Sequence, residues 1–177
     1  MVQIFLDTET TGVEIGACVI ELAAIMVDDG EIVEIFHEYA KPYRTINPNA
    51  QKAHGISMEF LKDKPEEKEM LERFREWLLG SGAQEVLAYN AQFDIRIIND
   101  RMIMDNIIET KIFDNYRVTD VARMAKEALR RELIPKKGRS WNQEYVASCF
   151  GIKYDAHAAI EDVKAMYQVY LKLKEVL

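Results

Sequence analysis

Two carboxylates stand two positions apart in the sequence DTETTG at residues 7–12, directly after an apolar run. If this segment is an extended strand, Asp7 and Glu9 share one face, about 6–7 Å apart. Like charges at that distance resist joint ionisation unless a proton, a basic group or a metal ion offsets them. No Lys or Arg precedes Lys41, so the pattern favours a divalent ion such as Mg²⁺ or Mn²⁺. Taken alone, DTETTG is also typical of a turn with Asp and Thr side-chain caps.

A third carboxylate, Asp94, lies in the sequence YNAQFD at residues 89–94. A short strand predicted at 86–89 precedes it, and Asn90 is expected to cap a helix over about 91–104. The end of a strand can deliver a carboxylate to a cleft, although the helix dipole alone also favours an acid in the first turn. The adjacent Phe93 fits core packing better than base stacking.

A fourth carboxylate, Asp162, borders the apolar stripe of the last predicted helix, where an unpaired charge is costly. His157 precedes it by five residues, which is about 140° around an ideal helix, so the two side chains do not share a face. For both to meet one site, His157 must lie at or just before the first turn of the helix and reach over. An ordinary histidine at a helix entrance is the simpler interpretation of His157 alone.

The elements that would position these residues follow from the hydrophobic periodicity. Three strands at 2–7, 19–28 and 31–40 form a predicted antiparallel meander. Two short strands at 86–89 and 117–119 then alternate with helices, and Ser140 with Gln143 forms a capping box that opens one of them. This order predicts an α/β fold, with a ribonuclease-H-like mixed five-stranded sheet and helices on both faces. The predicted helices begin near Pro65, at 91, at 120, at Ser140 and near Ala156.

Composition sets the broad class of protein. The chain has 177 residues, 49% of them hydrophobic and 30% charged, which is typical of a single soluble domain. We expect one domain over residues 1–177 and a cytoplasmic location. No apolar stretch approaches the ~18 residues of a spanning helix, so we expect no membrane partner. The N-terminal apolar run ends at Leu6 and has no basic flank, so we expect no signal peptide. Cys18 and Cys149 match no metal or redox spacing. The net charge of −7 argues against broad binding to the phosphate backbone.

The sequences DTETTG, NAQFD and HAAIED, in this order, resemble the DEDDh family of 3′–5′ exonucleases. That ribonuclease-H-like family includes the proofreading, or epsilon, subunit of bacterial DNA polymerase III. The resemblance covers nearly the whole chain, including YAKP at 39–42 and AHGIS at 53–57. A histidine five residues before the last acid, rather than a tyrosine four before it, indicates the histidine branch of the family.

The resemblance implies hydrolysis of the terminal phosphodiester with release of nucleoside 5′-monophosphates. It further implies two divalent metal ions, Mg²⁺ or Mn²⁺, and His157 as the general base. Thr10, Thr11, Asn90 and Phe93 are the expected substrate contacts. The metal ligands that it implies are Asp7, Glu9, Asp94 and Asp162.

The expected substrate is the 3′ end of a nucleic acid, with single-stranded DNA in a proofreading or repair role ahead of short RNA. A polymerase catalytic subunit is a possible partner, and a non-catalytic nucleic-acid-binding subunit is the alternative of another class. The basic stretch 130–139 could contact the phosphate backbone, although a solvated loop fits it equally well. We expect Asp120 to cap a helix and His54 to be structural.

Overall fold

The computed structural model describes residues 1–136 and 141–177, and a five-stranded mixed sheet forms its centre. The spatial order is β3-β2-β1-β4-β5, so that β1 lies in the middle. β1, β2 and β3 pair antiparallel, as the meander predicts, whereas β4 and β5 run parallel to β1. The strands are β1 Gln3–Thr10, β2 Val19–Asp28, β3 Glu31–Tyr39, β4 Glu85–Ala88 and β5 Arg117–Asp120.

Helices cover both faces of this sheet, and each face buries its own apolar cluster. Alternation along β1 sends Ile4 and Leu6 to one cluster and Phe5 to the other. The first cluster is covered by α3 and α4, and the second by α5, α6 and α7. The helices are α1 Pro48–His54, α2 Met58–Leu61, α3 Glu67–Gly80, α4 Gln92–Met104, α5 Val121–Arg130, α6 Gln143–Cys149 and α7 Ala159–Val176, with a 3₁₀ turn at Ile112–Asn115.

The predicted fold class is confirmed, although the hydrophobic periodicity did not predict two short helices, α1 and α2. Helix α1 begins after Asn47, whose side chain accepts a hydrogen bond from the Asn49 N–H, and ends at Gly55 in the left-handed conformation. Helix α2 is a single turn capped by Ser57. Neither helix is long enough to show a 3.6-residue stripe, so only their capping residues could have predicted them.

Two predicted helix caps are wrong. Asn90 adopts a left-handed conformation with φ of 64°, and α4 begins after Ala91 without a side-chain cap. Helix α6 is capped by Asn142, whose side chain accepts from the Tyr145 N–H, so the capping box proposed for Ser140 and Gln143 does not open it. Ser140 itself lies outside the described residues.

No helix in residues 1–136 and 141–177 combines the length and the apolar character that crossing a bilayer requires.

Candidate active site

The first two acids lie on one face of the central strand. Asp7 and Glu9 continue the side-chain row of Phe5, so they stand on the same face as the second apolar cluster and α7. The strand extends to Thr10, three residues beyond the predicted end, and this extension keeps the two carboxylates in register. The interpretation of DTETTG as a plain turn is therefore wrong for Asp7 and Glu9.

The electrostatic environment disfavours charge on both groups. Burial raises the pKa of Asp7 well above its ordinary value, and the carboxylates of Asp94, Asp162, Glu9 and Glu21 raise it further. Burial, followed by the neighbouring Glu21, raises the pKa of Glu9 to about 8. The folded chain thus gathers carboxylates that ionise at neutral pH only at a cost in free energy.

Asp94 reaches the same region from the start of α4. It is 3% exposed, and its Oδ1 accepts hydrogen bonds from the Thr8 N–H at 3.1 Å and the Thr8 hydroxyl at 2.7 Å. Because β4 runs parallel to β1, the carboxyl end of β4 delivers this first-turn acid to the same edge as Asp7 and Glu9. Burial raises the pKa of Asp94 more than its bonds to Thr8 lower it.

Asp162 and His157 come from the N-terminal end of α7. His157 lies just before the helix, as the sequence predicts, with a left-handed φ of 73°. Its backbone N–H donates to Asp162 Oδ2 at 2.8 Å, which ties the two residues together, while its imidazole is exposed. Burial raises the pKa of Asp162, and the His157 N–H partly offsets this effect.

Three of the four acids form a set suited to a metal ion. One carboxylate oxygen each from Asp7, Glu9 and Asp162 lies within 4.8 Å of the others. Asp94 lies outside that set, and its Oδ1 accepts hydrogen bonds from Thr8. Hard carboxylate oxygens match the preference of Mg²⁺ and Mn²⁺, and a cation would relieve the repulsion that raises the pKa of Asp7. The residues present therefore fit a divalent metal.

Glu21 is a buried neighbour of the site that sequence reasoning missed. It stands directly opposite Glu9 in the β1–β2 pairing and is 1% exposed. His37 on β3 lies beside it, with Nε2 2.7 Å from Glu21 Oε1. The acid Glu21 inside the apolar run VIELAAIMV of β2 was the available signal, since an acid in a buried strand needs a partner.

The four residues expected to contact substrate differ in their exposure to solvent. Thr10 and Thr11 are buried, and their hydroxyls bond within the loop, to the Gly12 carbonyl and the Cys18 N–H. Asn90 is exposed at the end of β4. Phe93 packs partly against the first apolar cluster, as its core interpretation predicts. Their contact with substrate stays a prediction.

Asp120 and His54 lie beside these motifs. Asp120 caps α5 through the Ala122 N–H, as predicted, and its Oδ1 also accepts from the Asn90 N–H at 2.9 Å. His54 Nδ1 accepts from the Ile56 N–H, which agrees with a structural role in the turn after α1.

The basic stretch at 130–139 is only partly described. Arg130 and Arg131 both pair with Glu127, and Lys136 approaches Glu132 at 3.9 Å. Lys137 and Arg139 lie outside the described residues. The described basic groups therefore already have acidic partners, and contact with a phosphate backbone stays a prediction.

A mixed sheet in this order, with carboxylates converging on its central strand, defines a ribonuclease-H-like nuclease fold. The chain belongs to the RNase T exonuclease family, whose profile matches residues 4–170. The predicted family is thereby confirmed.

Two bacterial relatives of this chain share one name. The chain is 35% identical to the DNA polymerase III subunit epsilon of Haemophilus influenzae over 97% of its own length and 66% of the relative's. It is 34% identical to that of Escherichia coli (strain K12), over 97% of its length and 70% of the relative's. The chain thus spans about two thirds of the length of these relatives.

Solved structures confirm the fold. Escherichia coli exonuclease I in complex with a dT13 oligonucleotide matches with a TM-score of 0.86 and 23% identity, over 99% of this chain and 41% of that one. Exonuclease X in complex with 5′ overhanging duplex DNA matches with a TM-score of 0.70 and 22% identity, over 98% and 91%. At these identities the likeness establishes the ribonuclease-H-like architecture.

Proposed function

We propose that residues 1–177 form a single metal-dependent 3′–5′ exonuclease domain that hydrolyses the terminal phosphodiester of DNA and releases nucleoside 5′-monophosphates. The observation that carries this proposal is the convergence of Asp7, Glu9 and Asp162 within 4.8 Å in a chain of an exonuclease family. Their elevated pKa values support it, because such carboxylates gain most from a bound cation.

Four carboxylates would hold the metal in this proposal. Asp7, Glu9 and Asp162 supply the nearest set of oxygens, and Asp94 completes it directly or through water. Two divalent ions, Mg²⁺ or Mn²⁺, fit four acids in charge and would stabilise the developing charge on the attacking and leaving oxygens. Thr8 fixes one oxygen of Asp94 and leaves the other available.

His157 is the proposed general base. Its backbone is fixed by the bond to Asp162 Oδ2, whereas its imidazole stays accessible to solvent and to substrate. A neutral imidazole nitrogen accepts the proton of the attacking water. The water oxygen forms a bond to phosphorus as the bond from phosphorus to the 3′ oxygen of the penultimate nucleotide breaks. That 3′ oxygen takes a proton from solvent, and the imidazole returns its own proton to solvent.

We propose contacts to the 3′ end of the substrate from the positions of residues near the acids. Asn90 and Phe93 shortly precede Asp94, the acid of α4. The loop after β1, whose shape Thr10 and Thr11 maintain through hydrogen bonds, borders the same edge of the sheet. We propose that backbone groups of this loop receive the terminal sugar. The side chains of Thr10 and Thr11 shape the loop by their internal bonds.

DNA is the proposed substrate and proofreading or repair the proposed role. Support comes from relatives named as a DNA polymerase subunit and from fold neighbours solved with an oligonucleotide or duplex DNA. A polymerase catalytic subunit as partner and a cytoplasmic location belong to the same proposal. Because the carboxylates would be neutralised by cations, the net charge of −7 does not oppose binding of a short strand end.

The test compares release of mononucleotides from single-stranded DNA, a mispaired primer end and short RNA, each with Mg²⁺, Mn²⁺ or EDTA. We expect hydrolysis of both DNA substrates with either metal and none with EDTA. Faster hydrolysis of RNA than of either DNA would assign the enzyme to exoribonucleases. Binding of DNA without hydrolysis under all conditions would support a non-catalytic subunit.

A further inference from the structure

The first turn of α6 lies against the segment that carries the histidine and the last acid. Gln143, the first residue of α6, donates from Nε2 to the Asp162 backbone carbonyl at 2.8 Å and to Asp162 Oδ1 at 3.2 Å. The next residue, Glu144, has Oε1 3.3 Å from Nε2 of His157. The first turn of α6 thus contacts both the His157 imidazole and the Asp162 carboxylate.

The orientation of the Gln143 amide follows from its partners. The Asp162 carbonyl and the ionised Asp162 carboxylate can only accept hydrogen bonds, so the amide nitrogen must face them. That nitrogen also lies 3.3 Å from the Tyr154 hydroxyl. The three contacts come from two parts of the chain, 154 and 162, and the amide holds them together.

Both oxygens of the Asp162 carboxylate therefore accept hydrogen bonds from the protein. Oδ1 faces Gln143, and Oδ2 accepts from the backbone N–H of His157 at 2.8 Å. The Tyr154 hydroxyl also bonds to this carboxylate. Each carboxylate oxygen has about two acceptor directions, so these bonds orient the group and still leave a direction free for a cation. Hydrogen bonds from neighbouring groups generally orient metal-binding carboxylates in this way.

We propose that Gln143 is a positioning residue, which orients the Asp162 carboxylate for metal binding and couples α6 to the entrance of α7. This inference rests on the proposed function, since it takes Asp162 as a metal ligand. It also explains how His157 keeps its left-handed backbone conformation. The His157 N–H bonds to Asp162, and Gln143 holds the Asp162 carboxylate in place.

Packing alone is the competing explanation, because Gln143 is partly buried against α7. The two explanations differ in what they predict for Gln143→Leu, which keeps most of the side-chain volume and removes the donor. A packing role predicts unchanged affinity for metal. An orienting role predicts weaker metal binding by about 10–100-fold, the usual effect of losing such a partner.

The experiment measures Mg²⁺ and Mn²⁺ affinity by calorimetry, without substrate, for the parent, Gln143→Leu and Gln143→Ala. Ser148→Ala is the matched control, because Ser148 lies exposed on the same helix and its hydroxyl donates to the Tyr145 carbonyl. We expect about 10–100-fold weaker binding in both Gln143 variants and parent-like binding in the control. Affinity within about twofold of the parent in Gln143→Leu would overturn the inference.

A second readout uses the metal-free protein, so it holds if metal binding proves too weak to measure. Loss of the Gln143 amide should release Asp162 and speed hydrogen exchange of the His157 backbone amide, while amides in the centre of β1 stay protected. Unchanged His157 exchange in Gln143→Leu would contradict the coupling. If the parent binds metal but hydrolyses no nucleic acid, the proposed function fails and the positioning of Asp162 still stands or falls on these two measurements.

Discussion

Asp7 is a buried acid whose pKa is raised by burial and, in addition, by four neighbouring carboxylates. Asp7→Asn keeps the shape and removes one of the repelling charges. We expect hydrolysis to fall by several orders of magnitude, while the metal-free variant melts about 2–4 °C above the parent for each kcal/mol of repulsion relieved. Scanning calorimetry in EDTA measures the melting temperature, and a nuclease assay measures the rate of hydrolysis. Parent-like hydrolysis, once contaminants are removed, would remove Asp7 from the site.

The role of His157 makes a separate prediction at the residue scale. His157→Ala removes the proton acceptor and leaves the backbone N–H that holds Asp162. Turnover should fall about 100- to 10,000-fold, the usual contribution of a general base, with little change in metal affinity. Single-turnover kinetics and calorimetry separate the two effects. A variant that loses metal affinity and keeps turnover at saturating metal would show that His157 supports the ligands and is not the base.

Helix α7 is held on the central strand by an aromatic contact two residues before Asp7. The ring of Phe5 lies 5.0 Å from that of Tyr167 and 5.3 Å from that of Tyr170, edge to face, and Phe5 is fully buried. These contacts set the depth at which α7 presents Asp162 to the strand. The positions of the acids are thus properties of packed elements as well as of motifs.

Phe5→Leu should therefore cost about 1–2 kcal/mol of stability and also lower activity, because α7 shifts relative to β1. Phe74→Leu is its counterpart on the opposite face, where Phe74 packs against Phe36 at 5.3 Å between ring centres. It should cost similar stability with little loss of activity below the melting temperature. Equal loss of activity in both variants would mean that α7 packing does not set the site.

The strands were more predictable from the sequence than the helix ends, for a physical reason. Successive side chains of a strand point to opposite faces of the sheet, as those of Ile4, Phe5 and Leu6 do. This rule made the strands, and the shared face of Asp7 and Glu9, predictable. The positive φ of Asn90 depends on tertiary contacts, including the bond from its N–H to Asp120, and no local pattern contains that information.

The same reason applies to the residues around the acids. His157, Asp94 and Asp162 were predictable as candidate site residues because they stand in recognisable sequence motifs. Gln143 approaches the site through the packing of α6 on α7, so its role required the folded structure. Glu21 had one sequence signal, an acid inside a buried strand, but its place opposite Glu9 came from the pairing of β2 with β1.

At the scale of the whole molecule, stability and metal binding are linked through pH. The pKa of Glu9 rises from 4.5 to about 8 on folding. A group with a raised folded pKa stabilises the protein fully below its unfolded pKa and loses that contribution as pH rises through the folded value. The metal-free protein should therefore lose stability between about pH 5 and pH 8, as Glu9 and its neighbours ionise against one another.

Mg²⁺ should reverse this loss, since a cation binds the ionised carboxylates. At about 100 times the dissociation constant, Mg²⁺ should raise the melting temperature by about 5–10 °C at pH 8, and by clearly less at pH 5.5, where protons compete. Differential scanning calorimetry at both pH values, with potassium chloride at matched ionic strength as the control, makes the comparison. An equal shift at both pH values would mean that the raised-pKa carboxylates are not the metal ligands.

Metal-dependent removal of nucleotides from a 3′ end is tested most directly by the products formed from 5′-labelled single-stranded DNA. The parent with Mg²⁺ should give a descending ladder of labelled strands together with unlabelled nucleoside 5′-monophosphates. A 3′-terminal block, EDTA or Asp7→Asn should each abolish the ladder. Immediate release of the labelled 5′ nucleotide, cleavage of the blocked strand at internal positions, or an undiminished ladder in EDTA would contradict this mechanism.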